Sequence, residues 1–90
     1  MWTEADCRSV GALSGGLENI IQITNCFTRV HVLVRDLERV DREGLKALPL
    51  VKGLLVRGGE VQLIVGAEAQ QLSVLCNTYL PLAPATDAAR

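Results

Sequence analysis

One short segment, Cys26–His31, carries the most reactive combination of side chains in this 90-residue chain. It places a thiol close in sequence to a hydroxyl, a guanidinium and an imidazole. A nearby cation lowers the pKa of a thiol from ~8.5 towards roughly 3.5–7.5, and the resulting thiolate is a nucleophile at neutral pH. The same donors bind phosphate. The segment therefore predicts an anion-handling site with Cys26 as its nucleophile.

Two strands are expected to position this segment. Residues 19–27 are rich in β-branched types, and the run Arg29–Arg35 alternates apolar and polar side chains, as a half-buried strand does. Val30, Val32 and Val34 take one face, and Arg29, His31, Leu33 and Arg35 take the other. A tight connection between the two runs makes a hairpin with Cys26 at its tip, where backbone N–H groups lack ladder partners.

The rest of the chain predicts a second hairpin and three helices. Thr3 is placed to cap a first helix that ends at Gly15-Gly16, with an apolar stripe of Val10, Leu13 and Leu17. Asp41 is placed to cap a second helix that runs through Leu48. Gly58-Gly59-Glu60 separates the apolar runs Gly53–Arg57 and Val61–Val65, which indicates a hairpin. After Gly66 a last helix presents one apolar face, consisting of Ala69, Leu72, Cys76 and Tyr79, with Leu75 beside it.

Composition excludes several function classes. With 3% aromatic residues and a net charge of −1, the chain offers neither a stacking platform nor a basic surface for nucleic acid. No apolar run is long enough to span a bilayer, no secretory leader is recognisable, and the odd number of cysteines fits a reducing compartment. We expect a cytoplasmic domain over residues 1–80, followed by a tail or linker over 81–90. Cys7 and Cys76 are interpreted as small packing residues.

Several short motifs, met in order along the chain, resemble the IIB domain of the bacterial sugar phosphotransferase system, glucose family. The Cys26–His31 segment is similar to a Cys-x-Thr-Arg-Leu-Arg core, Val40-Asp41 is followed by Leu45-Lys46, and Val61–Gly66 is similar to a Val-Gln-x-Ile-x-Gly strand. The resemblance extends from about Val10 to about Leu80. It implies an α+β open-faced sandwich, with a four-stranded, mainly antiparallel sheet of two hairpins and three helices on one face.

The resemblance also implies a function. In that family the cysteine accepts a phosphoryl group from the phosphohistidine of a IIA protein and donates it to a sugar bound by a IIC membrane transporter. Cys26 is then the catalytic phosphocarrier of a protein-phosphocysteine–sugar phosphotransferase, and Thr28, Arg29, His31 and Gln62 are its phosphoryl-binding residues. No metal or other cofactor is implied. The expected location is the cytoplasm, at the inner face of the membrane through the IIC partner.

His31 departs from the family pattern, which usually has a second arginine at that position. Arginine is always charged, whereas histidine, with an ordinary pKa near ~6.5, is only partly charged at pH 7. This departure leaves open that the donation of the phosphoryl group to sugar is slow or depends on pH. It also leaves open a non-enzymatic regulatory module that binds a transcriptional regulator through a IIB-like surface, with or without phosphate on Cys26.

Three simpler alternatives receive less support from the residues. A Cys26–His31 catalytic pair of the thiol-hydrolase type would need an oxyanion hole and a cleft that 90 residues hardly supply. A metal site would need three or four ligands at recurrent spacings. The pairs Gly15-Gly16 and Gly58-Gly59 lack the phosphate-loop pattern and lie where turns are needed.

Overall fold

In a computed structural model, residues 2–82 are described and form an α+β fold. The helices are α1 (Glu4–Leu13), α2 (Arg42–Lys46) and α3 (Ala69–Tyr79), and the strands are β1 (Ile20–Asn25), β2 (Arg29–Val34), β3 (Gly53–Arg57) and β4 (Glu60–Ile64). Short 3₁₀ turns cover Leu17–Asn19, Leu37–Arg39 and Gly66–Glu68.

The four strands form one antiparallel sheet in the order β1-β2-β4-β3. Both predicted hairpins are present, and the sheet is completed where β2 pairs with β4. In the centre of the sheet, His31 of β2 lies between Thr24 of β1 and Gln62 of β4. The predicted open-faced sandwich of two hairpins and three helices is confirmed.

Alternation along the strands separates the core from the polar face of the sheet. Val30 and Val32 of β2 are fully buried, as are Val61 and Leu63 of β4, and they share one core with Leu72 of α3. Each fully buried aliphatic side chain stabilises the fold by about 1.5–3 kcal/mol. Because strand side chains alternate, the neighbours of Val30 in β2, Arg29 and His31, point to the opposite face.

Side-chain caps fix the starts of α1 and α2. The Thr3 hydroxyl accepts a hydrogen bond from the Asp6 backbone N–H, and the Asp6 carboxylate accepts one from the Thr3 N–H at 2.9 Å. The Asp41 carboxylate accepts from the Gly44 N–H at 2.9 Å. Such caps are typically worth ~1 kcal/mol each. Both predicted caps are confirmed, although α2 ends at Lys46 rather than Leu48.

Two apolar positions were predicted wrongly. Tyr79 is 41% exposed, and the buried residue at this end of α3 is Leu80. Eleven residues make just over three whole turns of a 3.6-residue helix, so position 80, rather than 79, returns to the face of Ala69. Leu17 lies beyond α1 in a 3₁₀ turn and is partly exposed.

The two remaining cysteines lie in the core as predicted. Cys7 of α1 and Cys76 of α3 are fully buried and contact each other, and burial raises the pKa of each thiol above its ordinary value. Both are therefore protonated packing residues at neutral pH.

Within residues 2–82, none of the helices combines the length and the apolar character that crossing a membrane requires. The proposed tail, 81–90, lies outside the described residues from position 83 onward.

Candidate functional site

The candidate site is built on the three-residue turn between β1 and β2. Cys26 is exposed at this turn, and its backbone N–H donates to the Arg29 carbonyl at 3.0 Å. The backbone N–H groups of Thr28 and Arg29 lie close enough to the Cys26 sulfur to help lower the pKa of its thiol. Successive N–H groups that point to one atom form a concave site for an anion. The turn therefore stabilises negative charge on this sulfur.

The end of β4 holds this turn in place. The Thr28 carbonyl accepts hydrogen bonds from the N–H groups of both Val65 and Gly66, each at 3.0 Å. Gly66 has a φ of +76°, and a Cβ at this position would come within 3.0 Å of the Lys52 Nζ. Glycine tolerates this left-handed conformation, which an L side chain adopts only with strain. The last residue of the Val-Gln-x-Ile-x-Gly motif thus anchors the turn that carries Cys26.

His31 connects the thiol to an acidic side chain. Its Nε2 lies 3.3 Å from the Cys26 Sγ, and its Nδ1 lies 2.8 Å from the Glu60 Oε1. The imidazole is mostly shielded from solvent, with 19% of its side chain exposed, whereas the sulfur is open to solvent. A thiol, an imidazole and a carboxylate therefore form a hydrogen-bonded series across β2 and β4.

Gln62 and Arg29 extend the series along the same face of the sheet. The Gln62 Nε2 donates to the Glu60 Oε1 at 2.9 Å, and the Gln62 Oε1 accepts from the Arg29 Nη1 at 3.0 Å. Gln62 is buried, with only 6% of its surface exposed. Arg29 uses one of its five N–H groups in this bond, so the guanidinium keeps further donors.

The electrostatics of the series favour charge separation. The hydrogen bond from His31 holds the pKa of the Cys26 thiol below its ordinary value, assisted by the backbone N–H groups of Thr28 and Arg29. The hydrogen bond to Cys26, followed by that to Glu60, raises the pKa of His31. The hydrogen bond from His31 lowers the pKa of Glu60. A thiolate beside an imidazolium is the combination that these shifts stabilise.

The arrangement does not form a metal centre. The Cys26 sulfur and the Glu60 carboxylate lie against opposite nitrogens of the imidazole, so the three groups do not converge on one point. Within residues 2–82, no group of three or more His, Cys, Asp or Glu side chains is arranged to hold a metal ion.

Comparison with known proteins identifies the family of this chain. Residues 10–41 match the family model described as phosphotransferase system, EIIB. The chain is 36% identical over 64 residues, 71% of its length, to the arbutin-, cellobiose- and salicin-specific EIIBC component of Escherichia coli K12. It is 32% identical over 74 residues to the N-acetylmuramic acid-specific EIIBC component of Photorhabdus laumondii. The chain belongs to the phosphotransferase system EIIB family.

A solved structure agrees with this assignment of an EIIB domain. The chain superposes with a TM-score of 0.71 and 25% identity on a crystallised domain of a phosphotransferase system IIabc component from Clostridium difficile. The match covers 90% of this chain and 88% of that domain. The chain spans only 13% and 15% of the two EIIBC relatives, so it corresponds to one part of those proteins.

The structure of this EIIB domain brings the predicted site residues together, with one difference. Cys26, Arg29, His31 and Gln62 meet on one side of the sheet through the contacts described above. Thr28 contributes its backbone N–H and carbonyl, while its side chain is exposed. The catalytic and phosphoryl-binding roles of these residues remain predictions.

Glu60 is the site residue that the sequence analysis missed. It was assigned to the turn after Gly58-Gly59, but it is the first residue of β4 and lies opposite Leu33 and Arg57. Its two-residue spacing from Gln62, around the buried Val61, is the signal that could have placed both on one face of a strand.

Proposed function

We propose that this domain is a phosphocarrier that accepts a phosphoryl group on Cys26 from the phosphohistidine of a IIA protein. It then donates the group to a sugar bound by a IIC membrane transporter. The observation that carries this proposal is the exposed Cys26 sulfur, bounded by two backbone N–H groups and the His31 imidazole. The domain is thus the protein-phosphocysteine component of a sugar phosphotransferase.

The geometry suits phosphoryl transfer for a physical reason. A phosphoryl group in transfer spreads negative charge over three equatorial oxygens, so the protein supplies position and fixed donors rather than covalent chemistry. The Thr28 and Arg29 N–H groups and the Arg29 guanidinium are such donors. The turn is exposed, so the same sulfur is accessible to a donor protein and afterwards to an acceptor.

The names of the relatives support the proposed partners. The relatives are named EIIBC components and the superposed domain comes from a IIabc component, which supports IIA and IIC partners. We infer a place in the cytoplasm at the inner face of the membrane, reached through the IIC partner. The two relatives differ in their named sugars, and we propose that the IIC partner selects the sugar.

The test is direct phosphorylation of the domain. We would incubate it with phosphoenolpyruvate, the general phosphotransferase proteins and a panel of IIA proteins, and follow its intact mass. The expected result is a gain of one phosphate, without added metal, that is absent when phosphoenolpyruvate is omitted. No phosphate from any donor would overturn the phosphocarrier and favour the regulatory module.

Phe27 provides a second prediction, on docking. Its side chain is 93% exposed and lies next to Cys26 in the turn. Burying a phenyl group at an interface is worth up to ~1.5–3 kcal/mol. Phe27→Ala is therefore expected to raise the KM for the phosphorylated IIA protein about tenfold, while the rate of Cys26 alkylation by iodoacetamide stays the same.

The matched control for Phe27 is Val74→Ala. Val74 is also an exposed apolar residue, 57% exposed, but it lies on α3 in the helix layer. We expect the Val74→Ala variant to have the same KM for the phosphorylated IIA protein as the unmodified domain. Equal effects of the two substitutions, or no effect of Phe27→Ala, would contradict docking through the turn.

A further inference from the structure

Glu60 has no role in the phosphoryl-binding set, yet it contacts two members of that set. Its Oε1 lies 2.8 Å from the His31 Nδ1 and 2.9 Å from the Gln62 Nε2. Its side chain is 27% exposed, so the carboxylate is partly desolvated. The Glu60 carboxylate contacts His31 Nδ1, on the side of the imidazole opposite to the Cys26 sulfur.

The donors and acceptors of the series have a fixed direction. Arg29 can only donate, so the Gln62 oxygen accepts from it and the Gln62 amide nitrogen faces Glu60. An ionised Glu60 carboxylate can only accept. The His31 Nδ1 must then carry a hydrogen, and in the neutral imidazole this leaves the lone pair of Nε2 directed at the Cys26 sulfur.

We propose that Glu60 is a positioning residue that fixes the tautomer of His31, so that His31 Nε2 removes the proton of the Cys26 thiol. The inference deepens the proposed function, on which its biological purpose rests. A serine or cysteine nucleophile with an imidazole base and an orienting carboxylate follows the same logic in other enzymes.

The step balances as follows. The Cys26 proton moves to the His31 Nε2, and the thiolate attacks the phosphorus of the donor phosphohistidine. An S–P bond forms and the N–P bond breaks, with its electron pair going to the donor imidazole, which takes a proton from solvent. His31 remains as an imidazolium held by Glu60, and its positive charge faces the new phosphoryl group.

Few other ionisable groups face His31. Residues 20–25 of β1 contain none, β2 adds Arg29, β3 adds Arg57 opposite Glu60, and β4 adds Glu60 itself. An arginine side chain carries a permanent positive charge in proteins. The pH dependence of the thiol is accordingly assigned to Cys26, His31 and Glu60. The lowered pKa of Cys26 and the raised pKa of His31 agree with this assignment.

The test is the rate of Cys26 alkylation by iodoacetamide as a function of pH, because only the thiolate reacts. Glu60→Gln removes the carboxylate, which lowers the His31 pKa and so raises the Cys26 pKa. The expected result is a midpoint shifted to higher pH and a rate about three- to tenfold lower at pH 7. Glu43→Gln, which removes an exposed carboxylate from α2, is the matched control and should leave the profile unchanged.

The sign of the effect separates two mechanisms. Acting directly, the Glu60 negative charge disfavours a thiolate, so its removal would accelerate alkylation. Acting through His31, its removal slows alkylation. In a His31→Gln background we therefore expect Glu60→Gln to leave the rate unchanged or to raise it. A slower rate in that background, or a faster rate when His31 is present, would overturn the proposal.

A spectroscopic measurement tests the same point without a variant. Nitrogen NMR of the domain alkylated at Cys26, where the sulfur carries no negative charge, should show the hydrogen on Nδ1 above the His31 pKa, and the opposite tautomer would overturn the proposal. Neither readout needs a partner protein. If the domain accepts no phosphate but shows the expected pH profiles and the expected tautomer, only the phosphocarrier is refuted. If it accepts phosphate without showing them, only the role of Glu60 is refuted.

Discussion

Cys26→Ser is expected to lose phosphoryl acceptance from a IIA donor by about a thousandfold or more, while the domain stays folded. A serine hydroxyl is a weak nucleophile at neutral pH, and the donors around residue 26 stabilise a thiolate that serine does not form. Because Cys26 is exposed, the exchange should change the free energy of unfolding by no more than about 0.5 kcal/mol. The measurement is the initial rate of phosphate incorporation, followed by intact mass.

The chain supplies its own control in Cys76. This thiol is fully buried, and burial holds its pKa above the ordinary value, so it does not act as a nucleophile. Cys76→Ala should lower the free energy of unfolding by about 1 kcal/mol and keep the phosphorylation rate. Acceptance that survives in Cys26→Ser, or that disappears in a folded Cys76→Ala variant, would place the phosphocarrier elsewhere.

Local patterns were sufficient to predict the hairpin that carries the site. The alternation of Val30, Val32 and Val34 predicted the buried face of β2, and it therefore also placed Arg29 and His31 on the other face. The break in that pattern predicted the turn at Cys26. Each of these features depends on residues within a few positions of one another, and such features are readable from a single sequence.

Long-range pairing could not be predicted in the same way. Two hairpins can join through any of their outer strands, and nothing local indicates that β2 pairs with β4. The contact of His31 with Glu60 joins residues 29 positions apart and depends on that pairing. The sequence predicts a turn over Gly58-Gly59-Glu60, whereas Glu60 is the first residue of β4. The sequence therefore identified the reactive segment but not the carboxylate that contacts its imidazole.

The pairing of β2 with β4 also concerns position 31, where this chain has a histidine and the family pattern usually has an arginine. An arginine at position 31 would be a permanent cation, whereas a histidine is a cation only when it is protonated. The hydrogen bond to Cys26, and after it the carboxylate of Glu60, favours the protonated form. The His31 imidazole beside the thiol therefore contacts a carboxylate, that of Glu60, which helps to keep the imidazole protonated nearer to neutral pH.

Asn19 belongs to the segment that matches the family model, but it lies apart from the candidate site. It is fully buried between α1 and the loop after β2. Its Nδ2 donates to the Ser14 carbonyl at 2.8 Å and the Asp36 carbonyl at 3.0 Å, and its Oδ1 accepts from the Asp36 N–H at 3.0 Å. A Cβ on Gly15 would come within 2.5 Å of this Nδ2, so the glycine leaves space for the amide.

Asn19→Ala is expected to lower the free energy of unfolding by about 3 kcal/mol, because it removes the partner of three backbone groups at a buried position. For a domain of this size that corresponds to a fall in Tm of about 15 °C. Gln70→Ala, at an exposed position of α3, is the control and should change stability by less than about 0.5 kcal/mol. Urea and thermal unfolding measure both variants.

In the folded Asn19 variant the alkylation rate of Cys26 should be unchanged, because no described hydrogen bond joins Asn19 to the Cys26 turn within residues 2–82. A loss of thiol reactivity without a loss of stability would instead make Asn19 part of the site.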